Sequence, residues 1–152
     1  PVVVQLLICY FLIFKSSSNG VAVGIFAFGI NSGAYVAEIF RAGIISIDAG
    51  QFEAGRSIGF NYLQTMRYVI IPQMFKAVLP TLLNEFIALL KETSVAGYVA
   101  VNDLTKAGSS ISAVTYSYYM PLLTVALIYL IMVMALTKLV SVIERRLRKN
   151  ER

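Results

Sequence analysis

The run from Tyr116 to Thr137 contains no charged residue, and it limits the possible folds more than any motif does. A helix needs about 20 predominantly apolar residues to cross the hydrocarbon core of a bilayer. Two other stretches reach that length, Gly20 to Phe40 and Tyr68 to Leu90. Hydrophobic residues make up 58% of the chain and charged ones 14%, where a soluble domain carries about 25% charged. None of the apolar runs shows the period-2 alternation of a barrel strand. The expected class is therefore all-α integral membrane, with three full spans at 20–40, 68–90 and 116–137. Pro1 to Phe14 is apolar but short, and reads as part of a further helix whose beginning precedes Pro1. The chain opens without Met or a signal-peptide pattern, so it reads as an internal, N-terminally incomplete start. No heptad repeat or low-complexity linker divides it, and one domain over 1–152 is expected.

Charge placement sets the expected orientation. Every arginine lies in one of two places: Arg41, Arg56 and Arg67 around the first connection, and Arg145, Arg146, Arg148 and Arg152 after the last span. The loops near 15–19 and 91–115 hold only Lys15, Lys91 and Lys106. By the positive-inside rule the 41–67 connection and the basic tail 138–152 face the cytoplasm, and 91–115 faces outward. Two full spans between the cytoplasmic segments agree with that parity. The formal charge of +5 is thus a topological anchor near anionic lipid, and no nucleic-acid partner is expected. The chain has no histidine and a single cysteine, Cys9. Disulfides, Cys/His zinc sites and Ser-His or Cys-His nucleophiles are excluded on composition. No catalytic residue, metal or cofactor is expected in this chain.

The stretch "GQFEAGRSIGF", residues 50–60, needs an explanation. Gly50, Gly55, Arg56 and Ser57 fit the phosphate-loop frame with arginine in place of lysine. A phosphate loop, however, follows a strand and opens a helix, and a membrane helix precedes this stretch. A short surface helix over 49–59 fits better. Asp48 and Gln51 resemble a capping box, Gly59 suits the helix end, and Asn61 with Gln64 caps the next helix.

Glu53-Ala54-Gly55-x-x-x-Gly59, nine further residues, then Val69-x-Ile71-Pro72 resembles the EAA motif of ABC importer permeases, E-A-A-x₃-G-x₉-I-x-L-P. "NSGAYVAEIFRAGI" (31–44) and "LLNEFIALLKETSVAGY" (82–98) look like the polar amino acid uptake branch of that family, which imports histidine, arginine, lysine, glutamine or glutamate. The resemblance covers nearly the whole chain. It implies a type I permease fold in a bacterial inner membrane, with further membrane helices ahead of Pro1. It also implies that 49–59 is a coupling helix docking into a cleft of a cytoplasmic ATPase dimer, which itself binds the ATP and Mg. Glu53, Ala54, Gly55, Gly59, Ile71 and Pro72 would be the coupling residues. A second permease copy or relative and an extracytoplasmic amino-acid-binding protein would complete the system. Other readings are a permease for another small solute such as methionine, an ion-coupled secondary transporter, or a subunit that only recruits an ATPase.

A polar amino acid sheds hydration from an ammonium and a carboxylate as it crosses, so partners are needed along the way. Asn31, Tyr35 and Glu38 share one face of the first span; Arg41 at i+3 is an alternative partner for Glu38. Glu85 and Glu92 either line the same path or make interhelical hydrogen bonds or a dimer contact. Thr93 and Ser94 join the path by family resemblance alone. Pro72 and Pro80 act as hinges or as static kinks, and the tyrosines at 116–119 read as an interfacial belt.

Overall fold

A computed structural model describes residues 1–15 and 19–149, without the side chains of Arg148 and Lys149. The end of the basic tail, 150–152, lies outside the described residues. In chain order the helices are α1 (Val2–Ile8), α2 (Gly20–Ile45), α3 (Ala49–Ser57), α4 (Tyr62–Thr65), α5 (Ile71–Glu92), α6 (Leu104–Thr115) and α7 (Tyr119–Lys149). A π-helical turn at Cys9–Ile13 continues α1, another at Met66–Ile70 joins α4 to α5, and a 3₁₀ segment at Thr93–Val99 ends α5. No strand occurs among the described residues. Three helical stretches are long and apolar enough to cross a membrane: Gly20–Ile45, Tyr62–Val99 and Tyr119–Leu147.

The helices outrun the apolar runs that mark them. Helix α2 continues through Arg41 to Ile45, because nothing at the end of the apolar run breaks an α-helix. At the other boundary the expectation of helix from Tyr116 is corrected. Tyr116 adopts left-handed backbone, φ 52°, as the cap of α6, and α7 begins at Tyr119. The connection 91–115 is largely helical, with Asp103 capping α6 by accepting from the Lys106 N–H at 2.6 Å.

The chain forms two compact units. The first comprises Pro1–Gly33 and Phe86–Leu139. Its core joins Leu6 and Cys9 of the first helix to Val23, Ala27 and Phe28 of α2 and to Ala96 and Val99. Gln5 Nε2 donates to the Ala27 carbonyl at 3.2 Å, a polar tie between apolar helices. Cys9 is buried in this core as a small apolar filler. Two glycines set the spacing: a Cβ on Gly20 would strike the Val99 carbonyl, and one on Gly108 would fall 2.6 Å from Val125. The outer faces stay apolar and exposed; only 6% of the α7 window is buried. That is expected of a helix whose solvent is lipid.

The second unit comprises Ala34–Glu85 and the described part of Val140–Arg152. Gly43 lets α2 close on Val78 and Met74 of α5, and Phe40 packs edge-on against Phe75 with centroids 5.8 Å apart. Ile70 is fully buried. Helix α5 runs unbroken through Pro80, which removes one backbone donor from the ladder.

Candidate functional site

Helix α3 is bounded by side chains and backbone suited to a short, self-contained element. Asp48 accepts from the Gly50 N–H at 2.7 Å. A Gln51 side chain completing a capping box with Asp48 is not what forms. That amide turns instead to α5, accepting from Gln73 Nε2 at 3.1 Å. At the other end Gly59 takes φ +87°, and two bonds close the helix. Phe60 N–H reaches the Gly55 carbonyl at 3.1 Å and Gly59 N–H the Arg56 carbonyl at 2.9 Å. This is the Schellman pattern, which needs a left-handed residue and favours glycine. Immediately afterwards Asn61 and Gln64 exchange both bonds of a capping box at 2.9 Å each. The chain thus stops one helix and starts the next with two residues between caps.

The exposed face of α3 carries Glu53, Ala54 and Arg56, while Gly55 is buried. A Cβ there would lie 2.6 Å from Thr65 Cγ2 and 2.8 Å from its Oγ1. Thr65 is itself buried, its hydroxyl donating to the Asn61 carbonyl at 3.0 Å. Gly50, Gly55 and Arg56 therefore lie within a helix, with no strand before them among the described residues. A phosphate loop has no counterpart here. Beyond the capping box, Ile71 is half-buried and Pro72 exposed at the start of α5. The π turn precedes them, with the Ile71 N–H bonding back to the Met66 carbonyl.

The polar residues of the spans divide between two settings. Asn31 Nδ2 donates to Glu92 Oε2 at 3.2 Å, joining α2 to the end of α5 within the first unit. Both residues are half-buried. Glu38 instead forms a two-pronged pair with Arg41, one bond at 2.8 Å. Its neighbours at a groove of the second unit include Ala42, Gly43, Ser46 and Thr81. Tyr35 is exposed, and Glu85 is half-buried on α5. Thr93 donates to the Leu90 carbonyl at 2.7 Å. Ser94 borders a depression of about 220 Å³ with Gly97, Asp103, Lys106 and Ser109.

A family model for the binding-protein-dependent transport system inner membrane component matches residues 1–149. The chain belongs to this family, the permeases of ABC importers. A Rickettsia typhi permease named for a glutamine transport system is 37% identical over 153 residues, 99% of this chain and 70% of its own length. The arginine transport system permease protein ArtQ of Bacillus subtilis is 38% identical over 99% of this chain and 70% of its own. A crystal structure of an amino acid ABC transporter with histidines superposes with a TM-score of 0.91 at 46% identity, covering 96% of this chain and 69% of that one.

Sequence alone misses three residues that shape these sites in the permease. Thr65 and Gln73 meet α3 only once the chain has folded back, and nothing in their spacing from Gly55 and Gln51 announces it. Asp103 could have been found, since aspartate three residues before Lys106, at the edge of an apolar-periodic stretch, is a helix-start signal. One of its carboxylate oxygens caps α6 and the other accepts from the Gly97 N–H at 3.3 Å.

Proposed function

We propose that this permease forms the membrane path of an importer for polar amino acids, driven by a separate ATPase that docks on α3. In this reading the chain holds no ATPase site, cofactor or metal; ATP and Mg belong to the docked ATPase dimer. The single observation carrying the coupling role is the construction of α3 itself. It is a short helix with its own caps at both ends, seated on Thr65 and presenting Glu53, Ala54 and Arg56 outward. A loop that merely linked two spans would need neither the Schellman closure nor the glycine seat. The relatives named for arginine and glutamine transport and the transporter solved with histidines support the cargo class. The Asn31–Glu92 pair supports it from the chain's own chemistry, offering a carboxylate to an ammonium and an amide to a carboxylate. Thr93 and Ser94 add polar groups in the same unit, and Tyr35, Glu38 and Glu85 do so in the second unit.

The partners in this reading are the ATPase dimer at residues 49–59, a second permease subunit and an extracytoplasmic amino-acid-binding protein. The site is an inner membrane, with α3 and the C-terminal end of α7 on the cytoplasmic side and 91–115 outside. The whole of 1–152 acts as one transmembrane domain of the transporter.

The coupling role is tested by co-purifying the ATPase with variants of the full permease. Gly59→Leu forces a branched side chain into left-handed backbone, at a cost of about 1–2 kcal/mol, and Glu53→Ala removes the exposed charge. Both should weaken ATPase association or its stimulation by substrate while leaving the spans inserted. Gly59→Asn, which tolerates the same backbone, should be milder. Unchanged association and stimulation in Gly59→Leu and Glu53→Ala alike would refute docking at α3.

A further inference from the structure

Gln51 and Gly55 are four residues apart on α3 and so share a face. Their partners, Gln73 and Thr65, are eight residues apart on the following helical stretch. Eight residues carry an unbroken α-helix about 80° past two whole turns, which would point Gln73 away from the face that Thr65 presents. The π turn at Met66–Ile70, closed by the Ile71 N–H on the Met66 carbonyl, takes up one extra residue. The effective separation becomes seven, about 20° short of two turns. That returns both residues to the side occupied by α3. The helix is then held at two points: Gly55 against Thr65, where a Cβ would not fit, and Gln51 bonded to Gln73.

Gln73 does more than meet Gln51. Its Nε2 donates at 2.9 Å to the Val69 carbonyl, inside the π turn, as well as at 3.1 Å to Gln51 Oε1. One amide group therefore ties α3 to the turn whose extra residue aligns the two helices. Pro72, one residue earlier, has no N–H to stiffen that turn from within. We infer that Gln73 is a positioning residue for energy coupling. It clasps α3 to the base of α5, so that a displacement of α3 is delivered to the long span instead of being absorbed at the π turn. This inference rests on the docking role proposed for α3, and its test separates the two.

The permease is reconstituted in vesicles with its ATPase and binding protein. Two quantities are measured: ATPase co-purification, and amino acid taken up per ATP hydrolysed. Gln73→Leu keeps the side-chain bulk and removes the donor. Co-purification should persist while uptake per ATP falls about fivefold, the change expected from losing the one of Gln73's two bonds that reaches α3. Gln51→Leu, on the surface helix and away from the span, should do the same. Gln73→Lys keeps a donor of similar reach and Gln51→Glu keeps the acceptor, and both should couple near the wild-type ratio. Wild-type coupling in both leucine variants would overturn the inference. So would equal failure of Gln73→Lys and Gln73→Leu, which would make the position merely structural, or loss of co-purification in the leucine variants, which would place Gln73 in docking. Failure of the docking role itself shows separately, as intact association and stimulation in Gly59→Leu and Glu53→Ala.

Discussion

Glu38 and Glu92 are the same residue in unlike company. Glu38 has its charge met by Arg41 one helical turn away, so the pair enters an apolar helix as a near-neutral unit. Glu92 accepts from a neutral amide, Asn31 Nδ2, a partner that brings no compensating charge. The three-residue face of Asn31, Tyr35 and Glu38 was legible from helical spacing, but spacing along one helix is silent on what a second helix brings. Asn31 finds Glu92, sixty-one residues on. Glu92→Gln preserves the bond to Asn31 and removes the charge, and should lower uptake about tenfold at unchanged membrane level, the value of a charged over a neutral hydrogen bond. Glu38→Gln should slow uptake less. Radiolabelled amino acid uptake, normalised to permease in the membrane fraction, measures both. Wild-type rates in Glu92→Gln would remove that carboxylate from the path, and wild-type rates in Glu38→Gln would leave it as Arg41's partner only.

The spans announce themselves because the bilayer demands length and apolarity together, which few other structures need. Their ends are less legible. Arg41 falls within α2 although the apolar run stops at Phe40, since a charge does not end a helix. Tyr116, apolar enough for a span, is instead the left-handed cap of α6. Helix α6 escaped because its serines, threonines and glycine dilute the apolar pattern, although Asp103 marks its start. The short helix α3 was visible through its motif and the Asn61–Gln64 box, while its bond to Gln73 was not, since the π turn between Thr65 and Gln73 shifts the helical phase without leaving a mark in the sequence. The orientation proposed from the arginines is tested by single cysteines at Ser57 of α3 and Ser109 of α6 in a Cys9→Ala background. An impermeant thiol reagent applied to intact cells should label position 109 and spare 57. Labelling of 57 but not 109 would reverse the topology.

At the scale of the whole molecule, the proposed reading gives the chain a path and a docking helix, α3, and assigns the driving energy to a separate ATPase. The 0.91 TM-score with an amino acid ABC transporter and the family match over 1–149 make the architecture that of an importer permease. The rival that uses the same spans is an ion-coupled transporter, for which α3 would be an ordinary connection. The two differ in what powers accumulation. The most direct measurement is uptake of a polar amino acid into vesicles containing the full permease, its ATPase and its binding protein. Nucleotide is varied at the ATPase side, and an ionophore collapses all ion gradients. Uptake should require hydrolysable ATP, persist with the ionophore, and vanish when the ATPase is omitted. Accumulation that proceeds without ATPase or ATP and disappears with the ionophore would contradict the account.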